Sequence, residues 1–271
     1  MHYRSILFVP GNRPERFEKA AAAGADLVCI DLEDAVGLSD KDSARDSALS
    51  WLAETHHMNI GLRINGVEAA SGQSDIAALK SGGMTLPFIM IPKVASKTEL
   101  TDLDNSLSNT LGAFCPIIES AQGLLNASDI MSNQRASLAL FGAVDFSADV
   151  GCDLSWDALL HARSHLAVCA AATGTTLFDV PHIDVRNLDD CEATTRKAKA
   201  LGIHARTAIH PAQIARIHAA YAPTDEEIAH AESLIAAYQK AEGDVALLNG
   251  QLIETPLLRK AERVLAYGKS A

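Results

Sequence analysis

The chain lacks most of the signatures that would place it quickly. Its five cysteines, Cys29, Cys115, Cys152, Cys169 and Cys191, are scattered singly, with no CxxC pair and no histidine at zinc-site spacing. That excludes a sequence-readable zinc module and favours free, buried thiols in a reducing compartment. No apolar run approaches the roughly 18 residues that cross a bilayer, and no segment near the start combines a basic region, an apolar core and a small-residue cleavage site. A soluble, cytoplasmic protein without a membrane partner is the expectation. Neither a Walker loop nor a dinucleotide fingerprint occurs. Positive charge is in short supply: 23 basic residues face 34 acidic ones, for a formal charge of −11. Such a surface repels a phosphate backbone, so no nucleic-acid partner is expected. A small phosphorylated ligand is still admissible, because it needs only a local basic patch.

What the chain has in quantity is apolar residue, 48% against 21% charged, over 271 residues. This is ample for a buried core and rules out disorder. Short β-rich runs alternate with stretches of helical spacing, the pattern of a parallel sheet. Eight such runs occur: Ser5 to Pro10, Leu27 to Asp34, Ile60 to Asn65, Phe88 to Val94, Ala113 to Glu119, Leu138 to Asp145, Thr176 to Val180 and Thr207 to Ile209. Helices are expected between them, among others over Glu15 to Ala23, Ser74 to Lys80, Ser120 to Met131 and Trp156 to Ala172. Eight units without a linker predict an α/β fold, a closed (β/α)₈ TIM barrel over residues 1–222. Residues 223–271 read as a C-terminal helical extension, with helices over Asp225 to Glu242 and Pro256 to Tyr267. Thr224 and Glu227 have capping-box spacing at the start of the first. The extension either packs on its own barrel or reaches a neighbouring subunit.

In such barrels the chemistry sits where strands end, so polar residues closing an apolar run carry information. Those residues are Asp31, Glu33 and Asp34 after run two, Arg63 and Asn65 after run three, Lys93 after run four, Glu119 after run five and Asp145 after run six. Mg²⁺ prefers oxygen and commonly takes one or two protein carboxylates, a pair that Glu119 and Asp145 can supply. Alternatively each pairs with Arg63 or Lys93 as a structural ion bridge. Pattern alone leaves the two readings side by side, since buried charge needs compensation either way. Arg63 suits an oxyanion, or plain charge balance. The amides of Ala121, Gln122 and Gly123 open a helix, where a carboxylate or phosphate can sit, though many such starts hold only water. Asn12, Arg13 and Lys19 follow the first run and read by default as a solvated face. His210 beside Pro211 reads as a turn residue before a base, and His56 and His57 as an exposed pair.

The ordered motifs resemble one family. Ser5-Ile-Leu-Phe-Val-Pro-Gly11, Asp31-Leu-Glu-Asp-Ala-Val36, Arg63-Ile-Asn65, Ile91-Pro-Lys-Val94, Ile118-Glu-Ser-Ala-Gln-Gly123, Phe141-Gly142 with Asp145-Phe146, and Ile209-His-Pro-Ala-Gln213 resemble the citrate lyase β-subunit-like branch of the aldolase/citrate lyase superfamily. The resemblance implies an Mg²⁺-dependent carbon–carbon lyase acting on a 3-hydroxyacyl-CoA thioester. Citramalyl-CoA is favoured among its substrates, with malyl-CoA or a citryl thioester as alternatives. It implies Glu119 and Asp145 as metal ligands, Arg63 as the group that meets the enolate, and Ala121 to Gly123 as the seat of the oxo-acid carboxylate. It further implies Asn12, Arg13 and Lys19 facing the CoA nucleotide, with Glu33, Asp34 and Lys93 in support. The catalytic base of many relatives is an Asp given by a neighbouring subunit; here that position is Glu254. A homotrimer or homohexamer would follow. The rivals are a class II aldolase that uses a 2-oxo acid without CoA, and a non-catalytic barrel.

Overall fold

The computed structural model describes residues 3–55, 57–82, 85–107, 111–241, 247–248 and 251–268. Eight parallel strands close in sequence order: β1 (Ser5–Pro10), β2 (Leu27–Asp31), β3 (Ile60–Arg63), β4 (Leu86–Ile91), β5 (Leu111–Ile118), β6 (Leu138–Phe141), β7 (Thr176–Asp179) and β8 (Ala205–Ala208). Closure is made by β8 pairing back on β1, with Ser5 opposite Arg206. The expected α/β barrel is therefore the fold. Strands buried on both faces explain the near-continuous apolar runs. Ile6, Cys29, Phe88, Met90, Ile117 and Phe178 are among the buried side chains that fill the interior as one cluster. The cysteines are free thiols, four buried and Cys152 half-buried.

Helices α1 (Phe17–Ala21), α2 (Lys41–Thr55), α3 (Ala70–Gly82), α4 (Lys97–Ser106), α5 (Ala121–Leu125), α6 (Ala127–Met131), α7 (Ala143–Val150), α8 (Trp156–Thr173), α9 (Leu188–Ala200) and α10 (Ala212–Tyr221) follow the strands. Their ends obey local chemistry. Ser155 caps α8 by accepting from the Ala158 amide, and Gly174 ends it at φ 74°, a left-handed geometry that glycine adopts without steric cost.

Several strands stop earlier than their apolar runs, each for a local reason. β2 ends at Asp31 because the Asp31 carboxylate takes the amides of Glu33 and Ala35, turning the chain. Beyond β3, the Asn65 amide donates to Asp75 at 2.9 Å rather than to a strand. The expected run to Asp145 ends at Phe141: Gly142 caps α7, and Asp145 becomes an acidic residue of that helix's first turn, where the helix dipole favours it. β8 is shifted toward the N-terminus, since the Ile209 amide is taken by Gln213 Oε1 at 2.9 Å. The helix expected over Ser120 to Met131 is broken at Asn126, whose side-chain amide reaches the Ala95 carbonyl at 2.8 Å.

The chain divides into two compact units, Met1–His218 and Ala219–Ala271. The division falls inside α10, a few residues before the boundary drawn from sequence. The second unit contains α11 (Asp225–Lys240), the short antiparallel pair β9 (Leu247–Leu248) and β10 (Gln251–Leu252), and α12 (Thr255–Gly268). Thr224 and Glu227 form the capping box at α11. Ala231, Leu234, Ile253 and Ala261 make this unit's own small core. Of the turn expected over 243–250, only Leu247 and Leu248 are described, and His56 also lies outside the described residues. His57 stacks on Trp51, ring centroids 5.2 Å apart.

Candidate active site

At the C-terminal mouth of the barrel lies a cavity of about 390 Å³, walled by Phe8, Arg63, Glu119, Phe141, Gly142 and Asp145 among others. Five of the residues singled out from sequence, Asp31, Asp34, Arg63, Glu119 and Asp145, thus meet in one place. Glu119 stands just past β5, 5% exposed, and its Oε1 accepts the Lys93 amide at 2.7 Å. That amide points inward because Lys93 has φ 57°, a left-handed conformation that costs a non-glycine residue about 1 kcal/mol. Gly142 is required beside it: a Cβ there would lie 2.5 Å from Glu119 Oε2. Asp145 enters from the first turn of α7.

Arg63 is more heavily engaged than its sequence position suggests. Nε and Nη2 each contact Asp31 at 2.6 Å in a fork, and Nη1 reaches Glu33 at 2.9 Å and Asp34 at 3.3 Å. Its guanidinium also lies 5.0 Å over the Phe8 ring. Burial works against the charge, but the Asp31 bonds and three carboxylates outweigh it and raise the pKa, so the group stays cationic. Of five N–H donors, three are hydrogen-bonded to Asp31 and Asp34, which leaves two for a ligand. Asp31 is the site residue that sequence reasoning underweighted. Its signal was the two-residue spacing to Glu33.

The electrostatics set the carboxylates apart. Burial, then the neighbouring charges of Glu33 and Asp145, push Glu119 up to about 8 against the pull of the Lys93 amide. Burial likewise raises Glu33 to about 7, although Arg63 and Lys93 oppose it. Glu33 Oε2 is buried without a hydrogen bond, its approach to Arg63 being an ion pair only. Among the described residues Arg63 and Lys93 pair with Asp31, Glu33 and Asp34, and no ion pair joins either to Glu119 or Asp145. The structural-bridge reading therefore fails for that pair. No group of three or more His, Cys, Asp or Glu arranged for a metal occurs among the described residues. Two carboxylate donors with oxygen-only chemistry suit Mg²⁺, which leaves most positions to water and ligand, and do not suit zinc.

Other expectations fare differently. Ala121, Gln122 and Gly123 do not wall this cavity, and two of their three amides are already used: Ala121 donates to Asp149 at 2.7 Å and Gly123 to Ser120 Oγ at 3.0 Å. The open anion seat expected there is thus partly closed by Asp149, which no motif had flagged. Asn12, Arg13 and Lys19 stand apart from the cavity; Asn12 reaches Asp40 at 3.4 Å, Arg13 lies 3.7 Å from Glu15, and Lys19 is exposed on α1. Glu33 and Lys93 line an adjoining cavity of about 680 Å³. His210 Nδ1 accepts the Ala212 amide at 3.2 Å, a turn role. Glu254 belongs to the second unit. It is exposed, follows buried Ile253, and its carbonyl accepts the Leu257 amide at 2.9 Å at the start of α12.

Comparison with known proteins completes the description. Residues 4–211 match the family model described as HpcH/HpaI aldolase/citrate lyase. The chain is 31% identical to the citrate lyase subunit beta of Leuconostoc mesenteroides subsp. cremoris, over 97% of this chain and 92% of that one. It is 29% identical to the mitochondrial citramalyl-CoA lyase of Rattus norvegicus, over 98% and 86%. Among solved structures, the CitE protein of Mycobacterium tuberculosis, in complex with magnesium, acetoacetate and coenzyme A, superposes with a TM-score of 0.87 at 30% identity, covering 99% of this chain and 98% of that one.

Proposed function

Because the chain belongs to the HpcH/HpaI aldolase/citrate lyase family, we propose that it is an Mg²⁺-dependent carbon–carbon lyase that splits a 3-hydroxyacyl-CoA thioester. One observation carries the reading: Glu119 and Asp145 share the barrel-mouth cavity with Arg63 yet have no ion-pair partner there, while Gly142 leaves Glu119 its room. A buried and a half-buried carboxylate side by side without a protein cation are suited to a cation from outside. Citramalyl-CoA, which would yield acetyl-CoA and pyruvate, is our preferred substrate. The similarity to a citrate lyase subunit at 31% and to a citramalyl-CoA lyase at 29% does not select between them. The metal-bound CoA complex of the related CitE protein supports a thioester over a CoA-free aldolase substrate.

In this reading Glu119 and Asp145 would hold Mg²⁺, which would supply a Lewis acid for the substrate hydroxyl and the carbonyl that forms from it. Arg63, fixed by Asp31, offers its two remaining N–H donors to the thioester oxygen as the C–C bond breaks and charge moves onto it. Preorganisation by Asp31, Glu33 and Asp34 means that the guanidinium does not have to reorient at that moment. Glu254, presented by the 223–271 extension of a neighbouring subunit in a trimer or hexamer, takes the hydroxyl proton. Glu33 keeps Arg63 and Lys93 in place. Asn12, Arg13 and Lys19 would meet the CoA nucleotide, and Gln122, whose neighbours' amides are occupied, would contribute what remains of the carboxylate seat. The five unpaired thiols accord with a reducing, cytoplasmic setting, and no described helix is long and apolar enough to cross a membrane.

The test is a panel of citramalyl-, malyl- and citryl-CoA, assayed for 2-oxo acid release with Mg²⁺ and with a chelator. Metal-dependent release from one of them is the expected result. Release that is indifferent to chelation would overturn the metal assignment, and cleavage of free 2-oxo acid aldols alone would establish the CoA-free aldolase.

A further inference from the structure

A second cavity, of about 400 Å³, lies behind the wall made by Ala143, Val180 and Pro181, which it shares with the barrel-mouth cavity. Its polar lining is peculiar in what it leaves unpaired. Arg163 is 5% exposed, and its Nε is held by both Asp179 oxygens at 2.9 and 3.2 Å. The Arg163 guanidinium lies 4.6 Å over the Trp156 ring. Its Nη1 is nevertheless buried without a hydrogen-bond partner, as is Nε2 of His182 in the same lining. Arg206, 3% exposed, donates to the Val180 and Cys191 carbonyls and to the Thr194 and Thr195 hydroxyls, all neutral acceptors. Among the described residues it has no carboxylate partner. The carboxylates that line the cavity, Asp184 and Asp190, are exposed, Asp190 standing 3.7 Å from His182 Nδ1 and Asp184 accepting the Arg186 amide.

The interior therefore holds one neutralised and one uncompensated buried guanidinium, with an idle donor on the first. Leaving a buried donor idle is costly, and leaving a buried cation unpaired is more so, and both favour an oxyanion. Leu154, Trp156, Leu159 and Ile183 supply an apolar wall that an inorganic ion would not use. We propose that this cavity binds a short-chain organic monocarboxylate, its carboxylate toward Arg163 and Arg206 and its hydrocarbon body against Trp156 and Ile183.

Trp156 provides the readout, because Trp51 is the other of the chain's two tryptophans. In full-length Trp51→Phe protein without metal, titration with isovalerate should change the Trp156 fluorescence saturably, with a Kd on the order of millimolar. Isoamyl alcohol, the same body without charge, should give no saturable change over the same range. His182→Ala should weaken isovalerate roughly tenfold, as expected for one lost polar contact. Arg63→Ala, which alters the mouth cavity, should leave the titration unchanged. Saturation-transfer NMR to the isovalerate methyls on the unaltered protein serves if Trp51→Phe does not fold. The proposal is overturned by the absence of saturation, by loss of the response in Arg63→Ala, by an undiminished response in His182→Ala, or by equal saturation with the alcohol or with inorganic phosphate.

Discussion

The two ends of the barrel treat buried charge in opposite ways. At the bottom, where the strands begin, Asp26 accepts the amides of Arg4 and Ser5 and the Arg4 guanidinium, and its own amide donates to Ser5 Oγ. Ser5 Oγ lies 2.7 Å from His218 Nε2. Asp26 is held below the usual carboxylate range: burial opposes this, but the Arg4 bonds prevail. Burial, then Arg4, lowers His218. At the mouth, burial and mutual repulsion instead raise Glu119 to about 8 and Glu33 to about 7. At the bottom the Asp26 carboxylate has its cation in Arg4. The mouth is left short of cations, and that shortfall is what a binding site requires.

Breaking the mouth should have the largest effect. Glu119→Gln or Asp145→Asn should remove metal-dependent turnover by on the order of 10³-fold or more. Glu119→Gln should also raise the melting temperature of the metal-free protein by a few degrees, since it deletes a repelled charge and retains an acceptor for the Lys93 amide. Calorimetry with and without Mg²⁺ reads both halves: the unaltered protein should gain stability on adding Mg²⁺ and the Glu119→Gln protein should not. Turnover surviving in either variant would place the metal elsewhere. Next in size, Glu254→Gln should lower turnover by about 10²-fold, the scale of one proton-transfer group, at unchanged Mg²⁺ affinity. Mixing that variant with Arg63→Ala should restore activity if the two groups come from different subunits, and failure of that complementation would confine Glu254 to its own chain.

The bottom should respond in stability and not in chemistry. Asp26→Asn should cost about 1–3 kcal/mol in denaturant unfolding, with unchanged turnover per folded molecule. A large loss of turnover there would erase the contrast between the two ends. The pH dependence follows from the signs. His218 has a lowered folded pKa, so its contribution is complete above the unfolded value near 6.5 and declines as pH falls through it; Asp26, also lowered, contributes above 3.8 and loses that as pH falls through its folded value. These two groups thus pull stability down on acidification below about pH 6.5, whereas the raised Glu119 and Glu33 push it up as pH falls toward 4.5, so the share of the bottom is read as the difference between the unaltered protein and a His218 variant. His218→Gln should flatten the first part of that decline, by the smallest of these effects, and an unchanged profile would relieve His218 of the role.

Much of this was legible in order along the chain. Eight alternations read as a barrel because a strand covered on both faces must be apolar throughout, and the residue that ends such a run is the first free to be polar. Arg63, Glu119 and Asp145 were found on that ground. Asp145 illustrates where the reading loosened: it stands not on a strand but in the first turn of α7, since an apolar run cannot say where Gly142 turns strand into helix. For Asn12, Arg13 and Lys19 the residues alone suggested a solvated face and only the resemblance suggested CoA; they do not line the mouth cavity. Asp149, which occupies the Ala121 amide, carried no signal because the contact spans 28 positions.

The sequence by itself determined the fold class, the strand-end set of charged residues and the capping box at Thr224, because periodicity and capping are local rules. Only the tertiary structure decided which charges pair. Arg63 chose Asp31, Glu33 and Asp34 over Glu119 and Asp145, and Arg206 was buried among neutral acceptors. Pairing depends on distances of a few ångströms between residues far apart in the chain, and barrel closure sets those distances.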